Sequence, residues 1–168
     1  MITLKQISRM SGFSVSTVSK ALNGRSDISA RTTQLIQDIA LRNNYIPNKN
    51  AIALRKNKSN TLAVLLPQVN DNLYSDTLCE IQKSAAKSGY RVLVYQSFDE
   101  TSKEDAFLND IHDGSIDSAI MISTNEVGKR ERYSSIPIEF IKVLKEQTQG
   151  EYLINLSIKS CKKLMDLI

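Results

Sequence analysis

Apolar residues recur at helical spacing three times within about the first 46 positions, and then give way to short unbroken apolar runs. Leu4, Ile7 and Met10 lie three apart and follow Thr3, with Gln6 three residues beyond it. A hydroxyl N-cap with a glutamine at that distance is a capping box, so a first helix is predicted over about 4–11. Gly12 breaks the pattern. Ser14 offers a second N-cap, and Val18, Ala21 and Leu22 recur before Asn23-Gly24, which predicts a second helix over about 15–22. Ser29 can cap a third helix, whose Leu35, Ile36, Ile39 and Ala40 form an apolar stripe ending near Asn43-Asn44, ahead of Tyr45-Ile46-Pro47. Three such helices can just close a core.

From Thr61 the period changes. Leu62-Ala63-Val64-Leu65-Leu66, Arg91-Val92-Leu93-Val94-Tyr95 and Ser118-Ala119-Ile120-Met121-Ile122 are short apolar runs, the pattern of strands buried on both faces. Tyr74–Gly89, with Leu78, Ile81 and Ala85, and Ser102–Asp113, with Phe107, Leu108 and Ile111, read as helices between them. Strands alternating with helices imply a parallel sheet with right-handed crossovers. Pro137–Gln149 (Ile138, Ile141, Leu144) and Glu151–Ile168 (Leu153, Leu156, Ile158, Leu164, Leu167) read as two further amphipathic helices joined at Gln149-Gly150. The expected fold class is an all-α helix-turn-helix head, then a partial α/β parallel sheet of three strands, then a helical tail. The expected domains are residues 1–47 as head, 48–60 as hinge and linker, 61–125 as α/β body and 126–168 as tail.

Bulk properties narrow the class. At 168 residues, 41% hydrophobic and 24% charged, the chain reads as globular. It has no apolar run of the roughly 18 residues that span a bilayer, and Met1–Lys5 lacks a signal-peptide layout, so a cytoplasmic protein with no membrane partner is expected. Cys79 and Cys161 are far apart without metal-ligand spacing, so neither a disulfide framework nor a zinc site is indicated, and both are expected to be buried or neutral thiols.

Charge distribution matters more than its total of +4. Residues 1–60 carry ten basic side chains against Asp27 and Asp38, a balance of +8, while the other 108 residues carry 12 basic against 16 acidic, a balance of −4. A basic head on an ordinary body suggests a nucleic-acid partner. Two helices joined by a three- or four-residue turn, the second rich in small hydroxyls, is a helix-turn-helix layout. On helix 2, Val15, Ser16 and Lys20 should project from the exposed face toward base edges. Ser14, Thr17 and Ser19 are compact donors able to reach phosphate oxygens, and Thr3, Asn23, Ser29, Arg31 and Lys49 join them as candidates for the DNA backbone. Each hydroxyl taken singly could equally be a cap or solvated surface.

These residues resemble the LacI-type family of transcription regulators, the lactose-repressor and galactose-repressor-like proteins. The resemblance runs through Thr3-Leu4-Lys5-Gln6-Ile7-Ser8, Gly12-Phe13-Ser14-Val15-Ser16-Thr17-Val18-Ser19-Lys20-Ala21-Leu22-Asn23-Gly24, Ile28-Ser29 with Thr32, and Asn44-Tyr45-Ile46-Pro47-Asn48, with Phe13 where the family usually has Val. It implies a dimeric bacterial regulator, nucleoid-associated in the cytoplasm, that binds a pseudo-palindromic double-stranded operator. Val15, Ser16 and Lys20 then stand where base pairs are chosen, and Tyr45 and Asn48 where the backbone is contacted. Residues 48–58 resemble the family's hinge helix, too short and polar to be stable alone, with Ala51, Leu54 and Arg55 at the minor groove and Leu54 as the apolar wedge that opens a base step. A plain Lys-rich linker is the alternative for this segment.

The body looks like the start of the family's periplasmic-binding-protein-like fold, with Gly89-Tyr90-Arg91 and Gly114-Ser115-Ile116-Asp117 at its turns. The resemblance is expected to stop soon after Ser123 and to leave the tail without a known family. The family's effector wall would fall at 68–74, 97–99 and 123–125, but Asp71-Asn72-Leu73-Tyr74 departs from the usual N-P-F-Y/F. With no second lobe read in the sequence, a chain truncated in this way is expected to bind DNA without an effector, and to lose affinity at low concentration as half-site avidity fails. An alternative is a truncated partner that modulates full-length relatives through mixed dimers.

An enzyme is not expected. Leu65-Leu66-Pro67-Gln68-Val69 has no phosphate-cradling glycine, His112 is the one histidine and reads as a helix C-terminal cation, and no paired acids stand at a strand end. No cofactor and no metal is implied.

Overall fold

The computed structural model describes residues 2–48, 58–125, 135–144 and 149–167. The chain divides into two compact units, Met1–Asn48 and Lys49–Ile168.

In the first unit, α1 spans Leu4–Ser11, α2 Val15–Leu22 and α3 Ala30–Arg42. Thr3, Ser14 and Ser29 are their N-caps, each side chain accepting from the backbone N–H three residues on. The Thr3 capping box is closed by the Thr3 N–H donating to Gln6 Oε1 at 2.9 Å. Gly12, at φ +74°, supplies the left-handed residue that ends α1 and lets α2 turn back. Ile7, Val18, Ala21, Ile36 and Ala40 form the core, with Leu4, Phe13, Leu22, Ile28, Ile39 and Tyr45 packed around it. Met10 and Leu35, which the sequence pattern places on apolar stripes, are 54% and 47% exposed, because so small a core needs only the centre of each stripe.

The second unit is a four-stranded parallel sheet in the order β2-β1-β3-β4, with β1 Thr61–Leu66, β2 Arg91–Gln96, β3 Ser118–Ser123 and β4 Ile138–Lys142. Helix α4 (Asn72–Lys87) follows β1, α5 (Thr101–Asp110) follows β2, and α6 (Gly150–Leu167) follows β4. Side chains alternate across the sheet. Leu62, Val64, Leu66, Ile120, Ile122 and Ile141 share one core with Tyr74, Ile81 and Ala85 of α4 and Leu153, Cys161 and Leu164 of α6. Ala63, Leu65, Ala119 and Met121 pack on the other face against Phe107 of α5 and Ile111.

Two expectations are corrected. Pro137–Gln149 contributes a strand rather than a helix, so the sheet has four strands: Ala119 pairs with Ile138 and Ser123 with Lys142. β2 is half-exposed instead of buried on both faces, because it stands at the sheet edge, with β1 its one strand neighbour among the described residues. Of the two cysteines, Cys161 is buried, its thiol pushed up by burial, and Cys79 lies exposed on α4.

Where the body begins, Asp117 ties it shut. Its Oδ1 accepts from the Ser59 N–H at 2.7 Å and the Ser59 hydroxyl at 2.8 Å, and its Oδ2 accepts from the Asn60 N–H at 2.8 Å. The Asp117 N–H in turn donates to the Thr61 carbonyl at 3.0 Å. The entry to β1 is thus clamped to the entry to β3. Asp117→Ala, which strips two backbone donors of a charged acceptor, is expected to lower the stability of the body by about 1–3 kcal/mol. Urea unfolding followed by far-UV circular dichroism checks this, with Asp117→Asn recovering part of the loss.

Candidate nucleic-acid interface

The sequence of α2 gives it two unlike sides. Val18 and Ala21 are 0% exposed in the head core, whereas Val15 is 41% exposed and Ser16 and Lys20 lie in solvent. Positions 16 and 20 are one turn apart and so share a face, and Val15, at the first position of the helix, is exposed as well.

The ends of α2 hold it in place. Ser14 Oγ accepts from the Thr17 N–H at 3.1 Å and lies 2.9 Å from the Thr17 hydroxyl. At the other end the Asn23 side-chain amide donates to the Ser19 carbonyl at 2.6 Å. Ser29 Oγ, in the same way, accepts from the Thr32 N–H at 3.2 Å and donates to the Thr32 hydroxyl at 2.9 Å. Thr3, Ser14, Asn23 and Ser29, expected at the DNA backbone, therefore each cap a helix. For Thr3, Ser14 and Ser29 this is compatible with such a surface, since a capped N-terminus still presents backbone N–H groups to an anion, whereas Asn23 stands at a C-terminus and would have to act through its side chain.

Arg31 is exposed in the first turn of α3, and Asn48 is exposed at the end of the unit. Tyr45 is half-buried against the head core, its N–H donates to the Ala40 carbonyl at 2.9 Å, and burial raises its phenol above the usual tyrosine value. Lys49, Ala51, Leu54 and Arg55 lie outside the described residues.

One residue of this surface was not singled out in the sequence. Lys20 Nζ lies 2.5 Å from Asp27 Oδ2, in the loop between α2 and α3, with both side chains about half exposed (48% and 53%). The hydrogen bond from Lys20 is the main reason the Asp27 carboxyl is held below its ordinary value. The only sequence signal was an acid in a strongly basic head.

In the body, the loops at the C-terminal ends of the strands meet. Buried Glu104 accepts from the Ser123 hydroxyl at 2.5 Å and the Asn125 amide at 3.1 Å, and Asp99 accepts from the Thr124 hydroxyl at 2.7 Å. Segments 97–99 and 123–125 are thus brought together through Asp99, while Glu104, which the sequence did not mark, is the acceptor that Ser123 and Asn125 share. His112 lies beyond the end of α5, its Nδ1 2.9 Å from the Ser135 hydroxyl. Among the described residues no group of three or more His, Cys, Asp or Glu could hold a metal ion, and no helix is long and apolar enough to cross a membrane.

Residues 3–48 match the family model described as bacterial regulatory proteins, lacI family. Catabolite control protein A of Staphylococcus aureus is 26% identical over 140 residues, covering 82% of this chain and 43% of that protein. Its counterpart in Staphylococcus xylosus is 26% identical over 179 aligned positions, covering 95% of this chain and 54% of that protein. The chain therefore spans about half the length of these curated relatives. Among solved structures, a LacI-family transcriptional regulator from Silicibacter pomeroyi superposes with a TM-score of 0.69 at 24% identity, over 89% of this chain and 46% of that one. The lac repressor dimer bound to operator and an anti-inducer superposes at 0.75 with 21% identity, over 83% of this chain and 44% of that one. These two establish the fold. The first unit is a helix-turn-helix whose residues 3–48 match that lacI-family model, and the second has the α/β fold of those proteins' bodies. The likeness does not stop near Ser123: the S. xylosus match takes in nearly the whole chain, including the segment expected to lack relatives.

Ser14→Ala removes the α2 cap and is expected to destabilise the head by about 1 kcal/mol, whereas Val15→Ala on the exposed side should change stability by less than about 0.5 kcal/mol. Thermal unfolding of the two variants beside the parent chain measures the difference.

Proposed function

We propose that this chain is a sequence-specific, double-stranded-DNA-binding transcription regulator, a repressor of catabolic genes, that lays α2 in the major groove and the 48–60 segment at the minor groove. The observation that carries the reading is the division of α2 into a buried side, Val18 and Ala21, and a solvent side, Val15, Ser16 and Lys20. A helix so divided offers a row of side chains to base edges while its other side stays anchored, which is how the second helix of a helix-turn-helix docks. The balance of +8 over residues 1–60 supplies the attraction to phosphates. Catabolite control proteins among the relatives favour catabolic genes as targets.

The partner is a pseudo-palindromic operator bound by a homodimer in the bacterial cytoplasm, at the nucleoid. Two-fold protein symmetry matches two half-sites, and Leu93 and Val94, each 39% exposed along the edge strand β2, are apolar surface that a second copy would cover. Thr3, Ser14, Thr17, Ser19, Asn23, Ser29, Arg31, Tyr45, Asn48 and Lys49 position the head on the backbone, and Ala51, Leu54 and Arg55 reach the minor groove.

Selection of bound duplexes from a random pool, followed by sequencing, tests the reading; a pool with no enriched half-site overturns it. Lys20→Ala is expected to relax preference at one base position per half-site by about 1–3 kcal/mol, and Arg31→Ala or Lys49→Ala to weaken all sequences alike. An unaltered consensus for Lys20→Ala would rule out the docking. Leu54→Ala is expected to reduce operator bending and specific affinity while nearly sparing binding to random DNA, since that is chiefly phosphate electrostatics. A circular-permutation gel assay reads the bend.

A further inference from the structure

The ion pair between Lys20 and Asp27 is unusual in its setting. Asp27 and Asp38 are the two acids among the first 60 residues. Asp38 sits on α3 and accepts from the Gln34 amide at 2.9 Å, whereas Asp27 lies against a cation on the side of α2 that faces solvent. The loop that brings it there is folded back on α2: the Arg25 N–H donates to the Lys20 carbonyl at 3.1 Å, and Gly24 turns the chain at φ +66°. An exposed ion pair adds little to stability, and a carboxylate close to a polyanion opposes binding. Neither folding nor bulk attraction to DNA accounts for Asp27.

We propose that Asp27 is a specificity-determining residue that acts through Lys20, holding its ammonium on the reading surface and neutralising it against phosphates, so that Lys20 engages neutral acceptors on a base edge. The proposal rests on the reading of α2 as the groove helix. On random DNA the nearest partner for an uncompensated lysine is a phosphate oxygen, and that contact carries no sequence information. With Asp27 in place, moving Lys20 to a phosphate exchanges one anion for another and leaves the carboxylate uncompensated beside the backbone. A guanine asks for no such exchange. Its O6 and N7 are uncharged acceptors in the major groove, and an ammonium with three donors can serve them while still donating to Asp27. The pair thus penalises the indiscriminate contact and spares the selective one. Guanine, which offers two such acceptors side by side where adenine and thymine each offer one, is the base expected opposite Lys20.

The test uses the full chain, with Asp27→Asn, Asp27→Ser, Lys20→Ala and the double variant Lys20→Ala with Asp27→Asn. Each is titrated over a series of salt concentrations against a random-sequence duplex and against the duplex the parent chain selects, with circular dichroism to confirm folding. Asp27→Asn is expected to bind random duplex roughly threefold more tightly near 0.1 M salt and to steepen the salt slope by about 0.9, the signature of one added phosphate contact. Its preference for the selected duplex falls accordingly. On the Lys20→Ala background the same substitution has no such effect, which separates action through Lys20 from simple removal of a negative charge. Asp27→Ser repeats the result with a smaller side chain should the asparagine variant fold poorly. An unchanged salt slope and random-duplex affinity in a folded Asp27 variant would overturn the proposal, as would an equal gain in the Lys20→Ala background. A parent chain that enriches no sequence overturns instead the reading of α2 and the proposal with it.

Discussion

The body depends on one strand that must be covered on both sides. β1 is buried along its whole length, from Thr61 to Leu66, between β2 and β3. Its alternating side chains demand apolar cover above and below, and helices supply it: α4 and α6 on the face of Leu62, Val64 and Leu66, and α5 on the face of Ala63 and Leu65. Parallel pairing fits the same demand, because parallel neighbours need long crossovers and two of these, α4 and α5, are covering helices, while α6 adds its cover after β4. The carboxylate of Asp117 fixes where this arrangement starts, since it satisfies two backbone N–H groups just before β1 from the loop before β3.

The head solves a harder problem with less material. Five fully or nearly buried residues cannot by themselves hold three helices firmly, and local hydrogen bonds at the helix ends supply what burial does not. Thr3, Ser14 and Ser29 each satisfy a backbone donor of the helix they start, and Asn23 a carbonyl of the helix it ends. With its inner side and both ends committed, α2 is rigid enough to present Val15, Ser16 and Lys20 at fixed positions. Rigid presentation is a condition for reading bases, because a hydrogen bond to a base edge discriminates only if the donor cannot shift to the next one.

The charge is divided along the chain, though not at the boundary of the two units: residues 1–48 carry six basic side chains against two acidic, and residues 49–60 add four more basic ones. The basic excess lies in the first 60 residues and the acidic excess in the rest, so attraction for a polyanion is concentrated in the segment that contains α2. Within that basic segment an acid placed 2.5 Å from Lys20, on the solvent side of α2, has a larger local effect than its single charge suggests. Screening by salt acts on separated charges more than on a pair in contact.

What the sequence by itself determined was whatever depends on neighbours within a turn or two of chain. The caps at Thr3, Ser14 and Ser29, the extents of α1 and α2, the outward side of α2 and the cores of β1 and β3 were legible because each is written in spacings of two to four residues. The family motif over 12–24 was legible for the same reason. Tertiary structure decided the rest. Ile138, Ile141 and Leu144 fit a helical period, yet Ile138 and Phe140 on one side and Ile141 and Val143 on the other equally fit a strand. The tie was broken by the open edge of β3, which pairs Ala119 with Ile138 and Met121 with Phe140. The exposure of β2 likewise follows from its place at the sheet edge. The pairing of Lys20 with Asp27, the burial of Glu104 against Ser123 and the clamp of Asp117 on Ser59 join residues 7, 19 and 58 apart. No periodic pattern encodes such contacts, because they exist only once loops and strands have brought distant backbone together.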